Sequence, residues 1–192
     1  MIPEITMNEV EAIRDFFLAD NACKLEQAYA QLTESLQGMS PVARDWQDVE
    51  FAFNRLFVGP AALQAPPFSS VYLDAQGLVM GQTTLDVREM YATLGLESPW
   101  KNLLPDDHIS LELDAVLAMN HIANQVDYEE IKTLQARFME HMKKWVPLFA
   151  NWVLTAPSHH PVIDRVVLCL TDWLDKQTNG HNHYESAKEE NV

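Results

Sequence analysis

Apolar residues return every three or four positions through most of this chain, the period of helices that bury one face. Between Met7 and about Gly38, Val10, Ile13 and Phe17 form one stripe and Leu25, Ala28, Tyr29, Leu32 and Leu36 a second, with Asp20-Asn21 between them. A further helix starts after Pro41, carries Val42, Trp46, Val49, Phe53, Leu56 and Phe57, and stops at Gly59-Pro60. Thr83-Thr84 supply hydroxyls that can cap the next helix, whose apolar positions are Leu85, Val87, Met90, Tyr91 and Leu94 before Gly95 closes it. After a loop at 96–106, Pro105-Asp106-Asp107 suit the first turn of a long helix through Ile109, Leu113, Val116 and Leu117 to about Gln125. Another begins near Asp127, carries Ile131, Leu134, Phe138, Met142 and Trp145, and is expected to kink or end at Pro147, which lacks a backbone donor. A short segment from Leu148 to Leu154 follows, and the last helix runs from roughly Pro161 to Lys176.

Residues 59–81 break this period. Pro60, Pro66, Pro67, Gly77 and Gly81 exclude a continuous helix, and Ser70-Val71-Tyr72-Leu73-Asp74 has the composition of an extended crossing segment. A single such run cannot make a sheet. With no fixed repeat and no pair of adjacent strand patterns, the fold class expected is all-α: one irregular helical bundle over residues 1–177. From Thr178 to Val192 the apolar period disappears, and a flexible polar tail is expected.

Composition supports a packed body. The 192 residues are 47% hydrophobic and include five Trp, eight Phe and five Tyr, enough for one domain with its own core. Against 28 Asp and Glu stand only 13 Lys and Arg, a formal charge of −15 that repels nucleic acid and anionic membrane. Cys23 and Cys169 are too far apart for a CxxC motif and read as core or half-buried residues. The start Met1-Ile2-Pro3-Glu4-Ile5-Thr6 has neither the basic opening nor the apolar run of a secretory signal, so a cytoplasmic protein is expected.

Several chemistries lack their residues. The six glycines form no GxSxG elbow, and Gly77-Leu78-Val79-Met80-Gly81 has no lysine to complete a phosphate loop. His108 and Glu112 are four apart without an HExxH pattern, so scattered helical histidines are the expectation and no metal or cofactor is called for. Two features remain. Between Lys101 and Lys132 no basic residue occurs, whereas Asp106, Asp107, Glu112, Asp114, Asp127, Glu129 and Glu130 do. Such a lobe attracts a basic ligand, although acids at helix starts also serve the helix dipole. Asp107-His108 reads equally as a cap or as a binding pair. The apolar Phe53, Leu56 and Phe57, leading to Pro66-Pro67-Phe68, read either as core or as one wall of a peptide groove.

Arg55-Leu56-Phe57-Val58-Gly59-Pro60, continued by Ala65-Pro66-Pro67-Phe68-Ser69-Ser70-Val71-Tyr72-Leu73-Asp74, resembles the central motif of the TorD/DmsD family of redox-enzyme maturation chaperones. Pro105-Asp106-Asp107-His108-Ile109 is similar to that family's second motif, and Trp145, Pro147 and Phe149, within His141 to Phe149, follow its spacing. Among the branches, the sequence around Leu56 to Asp74 resembles most the DmsD type, which serves dimethyl sulfoxide reductase.

The resemblance implies a cytoplasmic all-helical chaperone, without catalysis. Its partner would be the twin-arginine leader of a molybdoenzyme catalytic subunit, held until the cofactor is loaded, with a possible transient contact to the Tat translocase at the inner membrane. Carried over by motif position, the leader-binding residues would be Phe53, Leu56, Phe57, Pro67, Phe68, Gly81, Asp107 and His108. Phe53 and Phe68 stand where the DmsD type usually has Trp, which keeps the apolar face and loses the indole donor. Two rival readings are a guanine-nucleotide-dependent switch, against which the missing phosphate loop counts, and an acidic adaptor for another basic partner. If the assignment is right, the loop 59–81 and the helix start at 105–109 form facing walls of one open groove.

Overall fold

A computed structural model describes residues 6–34, 43, 45–93, 95, 103–125 and 129–189, with side chains described to residue 177. The elements are α1 (Met7–Leu18), α2 (Ala22–Glu34), α3 (Trp46–Phe53), α4 (Ser69–Leu73), α5 (Gln82–Thr93), α6 (Ile109–Gln125), α7 (Glu129–Thr155) and α8 (Pro161–Glu189). The all-α expectation is met: no strand occurs among the described residues. The helix stop at Gly38, the start after Pro41 and Asp127 lie outside the described residues.

Local chemistry sets several of the boundaries. The Glu9 carboxylate accepts the Thr6 N–H at 2.6 Å and closes the first turn of α1. Asp45 accepts from the Gln47 N–H at 2.9 Å and starts α3. Past Phe53 the backbone widens into a π turn, Asn54–Val58, which ends at Gly59 with φ 109°. That angle suits glycine and no side-chain-bearing residue.

The core lies where α1, α6, α7 and α8 meet, with α1 against α2 and α6, and α7 against α8, α6 and α4. Phe16, Phe138, Trp145, Phe149 and Trp173 are fully enclosed there. Cys169 is buried in the same core, whereas Cys23 is exposed, because it falls outside the α2 stripe of Leu25, Ala28, Tyr29 and Leu32.

Three boundaries differ from expectation. Ser70 to Leu73 is helical rather than extended, since the first N–H groups of α4 find acceptors outside their own segment. Pro147 neither ends α7 nor separates a second segment. Trp145, Val146, Phe149, Ala150 and Val153 continue one buried stripe across it, and that packing outweighs the single backbone bond a proline forfeits. Finally, α8 runs to Glu189, beyond the expected end at Lys176.

Candidate functional site

Residues 67–70 and 105–109, about forty positions apart, are laced together. Phe68 and His108 form an isolated antiparallel bridge. The Ser69 N–H donates to the Asp107 carbonyl at 3.0 Å and the Ile109 N–H to the Pro67 carbonyl at 2.9 Å. Pro67 has no N–H of its own, and here it serves as an acceptor.

Asp107 is completely buried. One carboxylate oxygen accepts the Ser70 N–H at 2.8 Å, and the other accepts the Thr84 hydroxyl at 2.9 Å. The residue is therefore a cap, though of α4 rather than of the helix it precedes, and it ties α4 and α5 to the start of α6. Thr84, expected to cap α5, instead lies inside its first turn. That cap comes from Asp74, whose carboxylate accepts the Thr83 N–H at 3.2 Å and the Thr83 hydroxyl at 2.5 Å. Gly81 makes room for this: a Cβ there would run into the Asp74 carboxylate.

His108 caps α6 with its ring. Nδ1 lies 3.2 Å from the Ser110 N–H it accepts and 2.6 Å from the Ser110 hydroxyl. Burial pushes its pKa down to about 4, which keeps the imidazole neutral, and because Nδ1 accepts the Ser110 N–H the ring proton sits on Nε2. The Phe68 ring stands edge-on to it at 5.2 Å, half-buried.

The expected apolar wall is not a wall. Phe53, Leu56 and Phe57 are 3%, 0% and 5% exposed. The Phe57 ring lies within 5.0–5.8 Å of Phe53, Phe17 and Phe149, and Phe53 also meets Phe16. The three residues are core, and the Leu56 carbonyl additionally holds the loop by accepting the Ala65 N–H at 3.1 Å. Buried like them, Pro67 and Asp107 do not present side chains to a ligand. Of the eight residues carried over by resemblance, half-buried Phe68 stands at a rim, His108, 6% exposed, backs its ring, and the rest frame it.

Of the seven acids of the acidic stretch, Glu129 and Glu130 are exposed and Asp127 lies outside the described residues, but the four at 106–114 are committed. Asp106 pairs with Arg88 at 2.6 Å and Asp114 with Arg14 at 2.8 Å, while Asp107 is committed as above. Glu112, fully buried, accepts from Trp145 Nε1 at 2.9 Å and lies 2.9 Å from His141 Nε2. Desolvation works to lower the His141 pKa, but the charge and hydrogen bond of Glu112, helped by Asp107, prevail and raise it. Sequence reasoning noted Glu112 as an acid of the lobe and as four positions from His108, without its partners on α7. The missed signal is the i,i+4 pair His141 and Trp145, two donors on one turn of a helix face. Among the described residues no group of three or more His, Cys, Asp or Glu is arranged to hold a metal.

Beside the rim lies an apolar strip. Leu148 and Trp152 stand one turn apart on α7, 47% and 45% exposed, and the Trp152 ring meets half-buried Tyr72 of α4 at 5.1 Å. Phe68 and Tyr72 are four residues apart on α4 and its N-terminal flank.

Comparison with known proteins gives these motifs a context. Residues 19–151 match the sequence profile of the family described as nitrate reductase delta subunit. The Tat proofreading chaperone DmsD of Salmonella typhi is 28% identical over 135 residues, 68% of this chain and 63% of that protein. The chaperone protein TorD of Vibrio cholerae serotype O1 strain O395 is 30% identical over 143 residues, 70% of this chain and 62% of that protein. In each case the chain spans less than two thirds of its relative. A crystal structure described as that of a redox enzyme maturation protein from Archaeoglobus fulgidus superposes with a TM-score of 0.61, covering 91% of this chain and 97% of that one at 18% identity, which speaks for the fold. No helix among the described residues is long and apolar enough to cross a membrane.

Proposed function

The chain belongs to the nitrate reductase delta subunit family, with TorD and DmsD chaperones among its relatives, and from that premise we propose that it binds the twin-arginine leader of a molybdoenzyme catalytic subunit and supports maturation of that enzyme before export. Those relatives carry the names of chaperones, not of enzymes. The client of this reading is the catalytic subunit of a dimethyl sulfoxide reductase, met in the cytoplasm and passed on at the Tat translocase of the inner membrane.

The observation that carries the reading is the interlock of 67–70 with 105–109, which turns two distant motifs into one rim. Half-buried Phe68 is the rim's contact residue, backed by the buried neutral imidazole of His108. The strip Tyr72, Leu148 and Trp152 receives the leader's apolar segment, as half-exposed aromatics at a groove commonly do. Phe53, Leu56, Phe57, Pro67, Gly81 and Asp107 act from beneath, by holding that rim in place. The leader's arginines are drawn by the net charge of −15 rather than by Asp107.

Calorimetry with a synthetic twin-arginine leader tests this. Saturable binding that weakens about tenfold in Phe68→Ala and in Trp152→Ala, equivalent to about 1.4 kcal/mol, supports it. A folded protein that takes up no leader, or binds it equally well in both variants, refutes the respective half of the reading.

A further inference from the structure

The basic residues of this acidic chain are unevenly placed. Four of the 13 Lys and Arg, namely Lys132, Arg137, Lys143 and Lys144, fall within thirteen consecutive positions of α7. Lys132, Arg137 and Lys144 line a single cleft of 640 Å³ between α7 and Met90 of α5. His141 lines it as well, and steps of four and three place Arg137, His141 and Lys144 along one face of the helix.

Two acids also reach this cleft, and both have a cationic neighbour. Glu140 is bound by Lys143 at 2.8 Å, and Glu129 lies 3.9 Å from Lys132. Among the described residues Arg137 and Lys144 have no comparable close ion pair, and both are exposed. The fourth cation is built from behind. His141 Nε2 rests on the buried Glu112 carboxylate at 2.9 Å, so a protonated ring spends that N–H inward and keeps Nδ1–H as its remaining donor. Lys144 and protonated His141 repel one another, since the ammonium works against the imidazolium. An anion between them relieves that repulsion.

We propose that this cleft binds the phosphate group of a small organic phosphate, with Arg137, Lys144 and the Glu112-supported His141 as its donors. A guanidinium fork, an ammonium and an imidazolium N–H suit the several oxygens of a doubly charged tetrahedral oxyanion better than the two of a carboxylate. The cleft is also larger than a bare phosphate requires. Met90 gives it a soft apolar side on which the organic part of the ligand can rest. This site is independent of leader binding: its residues belong to neither the rim nor the strip.

The probe is inorganic pyrophosphate, titrated into the full chain at constant ionic strength and followed by calorimetry and by thermal midpoint. The expected result is saturable one-to-one binding that raises the midpoint. Affinity should fall at least tenfold in the double variant Arg137→Ala, Lys144→Ala, while Lys24→Ala, which removes a positive charge elsewhere, leaves it unchanged. Both cleft side chains are exposed, so the double variant should unfold at the wild-type temperature when no anion is present. Inorganic sulfate in place of pyrophosphate should compete weakly. Failure to saturate at millimolar pyrophosphate overturns the proposal, as does equal binding by wild type and double variant, or equal losses in the double variant and Lys24→Ala.

Discussion

Asp107 and Glu112 lie five residues apart at the start of α6, and both carboxylates are shut off from water, yet they are satisfied by opposite chemistry. Asp107 faces a backbone N–H and a threonine hydroxyl, neutral donors that do not titrate. Glu112 faces an indole N–H and the imidazole of His141, which does. One end of the turn is thus a pin that holds α4 and α5 through neutral donors. The other is an ion pair whose strength depends on a proton, and it ties α6 to α7. Burial of an acid is tolerable on either plan, because each carboxylate has hydrogen-bond partners in place of the water it gives up. The difference determines which helix contacts respond to pH.

Removing the pin should have the largest effect. Asp107→Ala leaves the Ser70 N–H and the Thr84 hydroxyl without acceptors in a dry site, at about 1–3 kcal/mol each, so a total loss of about 4 kcal/mol is expected in denaturant unfolding. Asp107→Asn should cost far less. Its carbonyl can still accept from Ser70, and the Thr84 hydroxyl can turn to accept from the amide. Equal losses in the two variants would show that the negative charge, rather than the bonds, does the holding.

Next in size is an acid limb that belongs to His108. Its imidazole is pushed down to about 4 by burial, against an ordinary value of about 6.5, so between those pH values the unfolded chain binds a proton that the folded one does not. Stability therefore rises with pH across that window, by on the order of 3 kcal/mol from this group. His108→Asn keeps an acceptor for the Ser110 N–H while deleting the titration, and it should flatten this part of the pH profile relative to wild type. An unchanged profile would place the acid sensitivity in the carboxylates.

The smallest effect should come from Glu112→Gln, and it should run in the opposite direction with pH. His141 is raised in the folded state, so its contribution is complete below about pH 6.5 and is lost as pH rises through the folded value. A glutamine can still accept from Trp145 and can donate to a neutral His141, so the variant should lose about 1 kcal/mol in mildly acidic buffer and almost nothing in alkali. A loss independent of pH would mean that His141 is neutral throughout. Together the two histidines give wild type a stability maximum near their ordinary pKa, with His108 shaping one side and His141 the other.

Much of this protein is legible in local pattern. The stripes Val10, Ile13, Phe17 and Leu25, Ala28, Tyr29, Leu32 become α1 and α2, and Gly59-Pro60 ends the helix before it as the sequence suggests. Such features are legible because a helix and its buried face are set by residues three or four apart. Composition and motif order likewise carry the family. Tertiary contacts decided the rest. Whether Phe57 faced a groove or the core depended on Phe17 and Phe149, which come from α1 and α7. Asp107 became a cap for a helix 37 positions upstream, a pairing invisible to any local window. Pro147 stayed inside α7 because the apolar residues on both sides of it had one core to enter. Periodicity tells which side of a helix is dry, whereas the partner of a buried polar group is fixed only when distant segments meet, since its hydrogen bonds must then be satisfied without water.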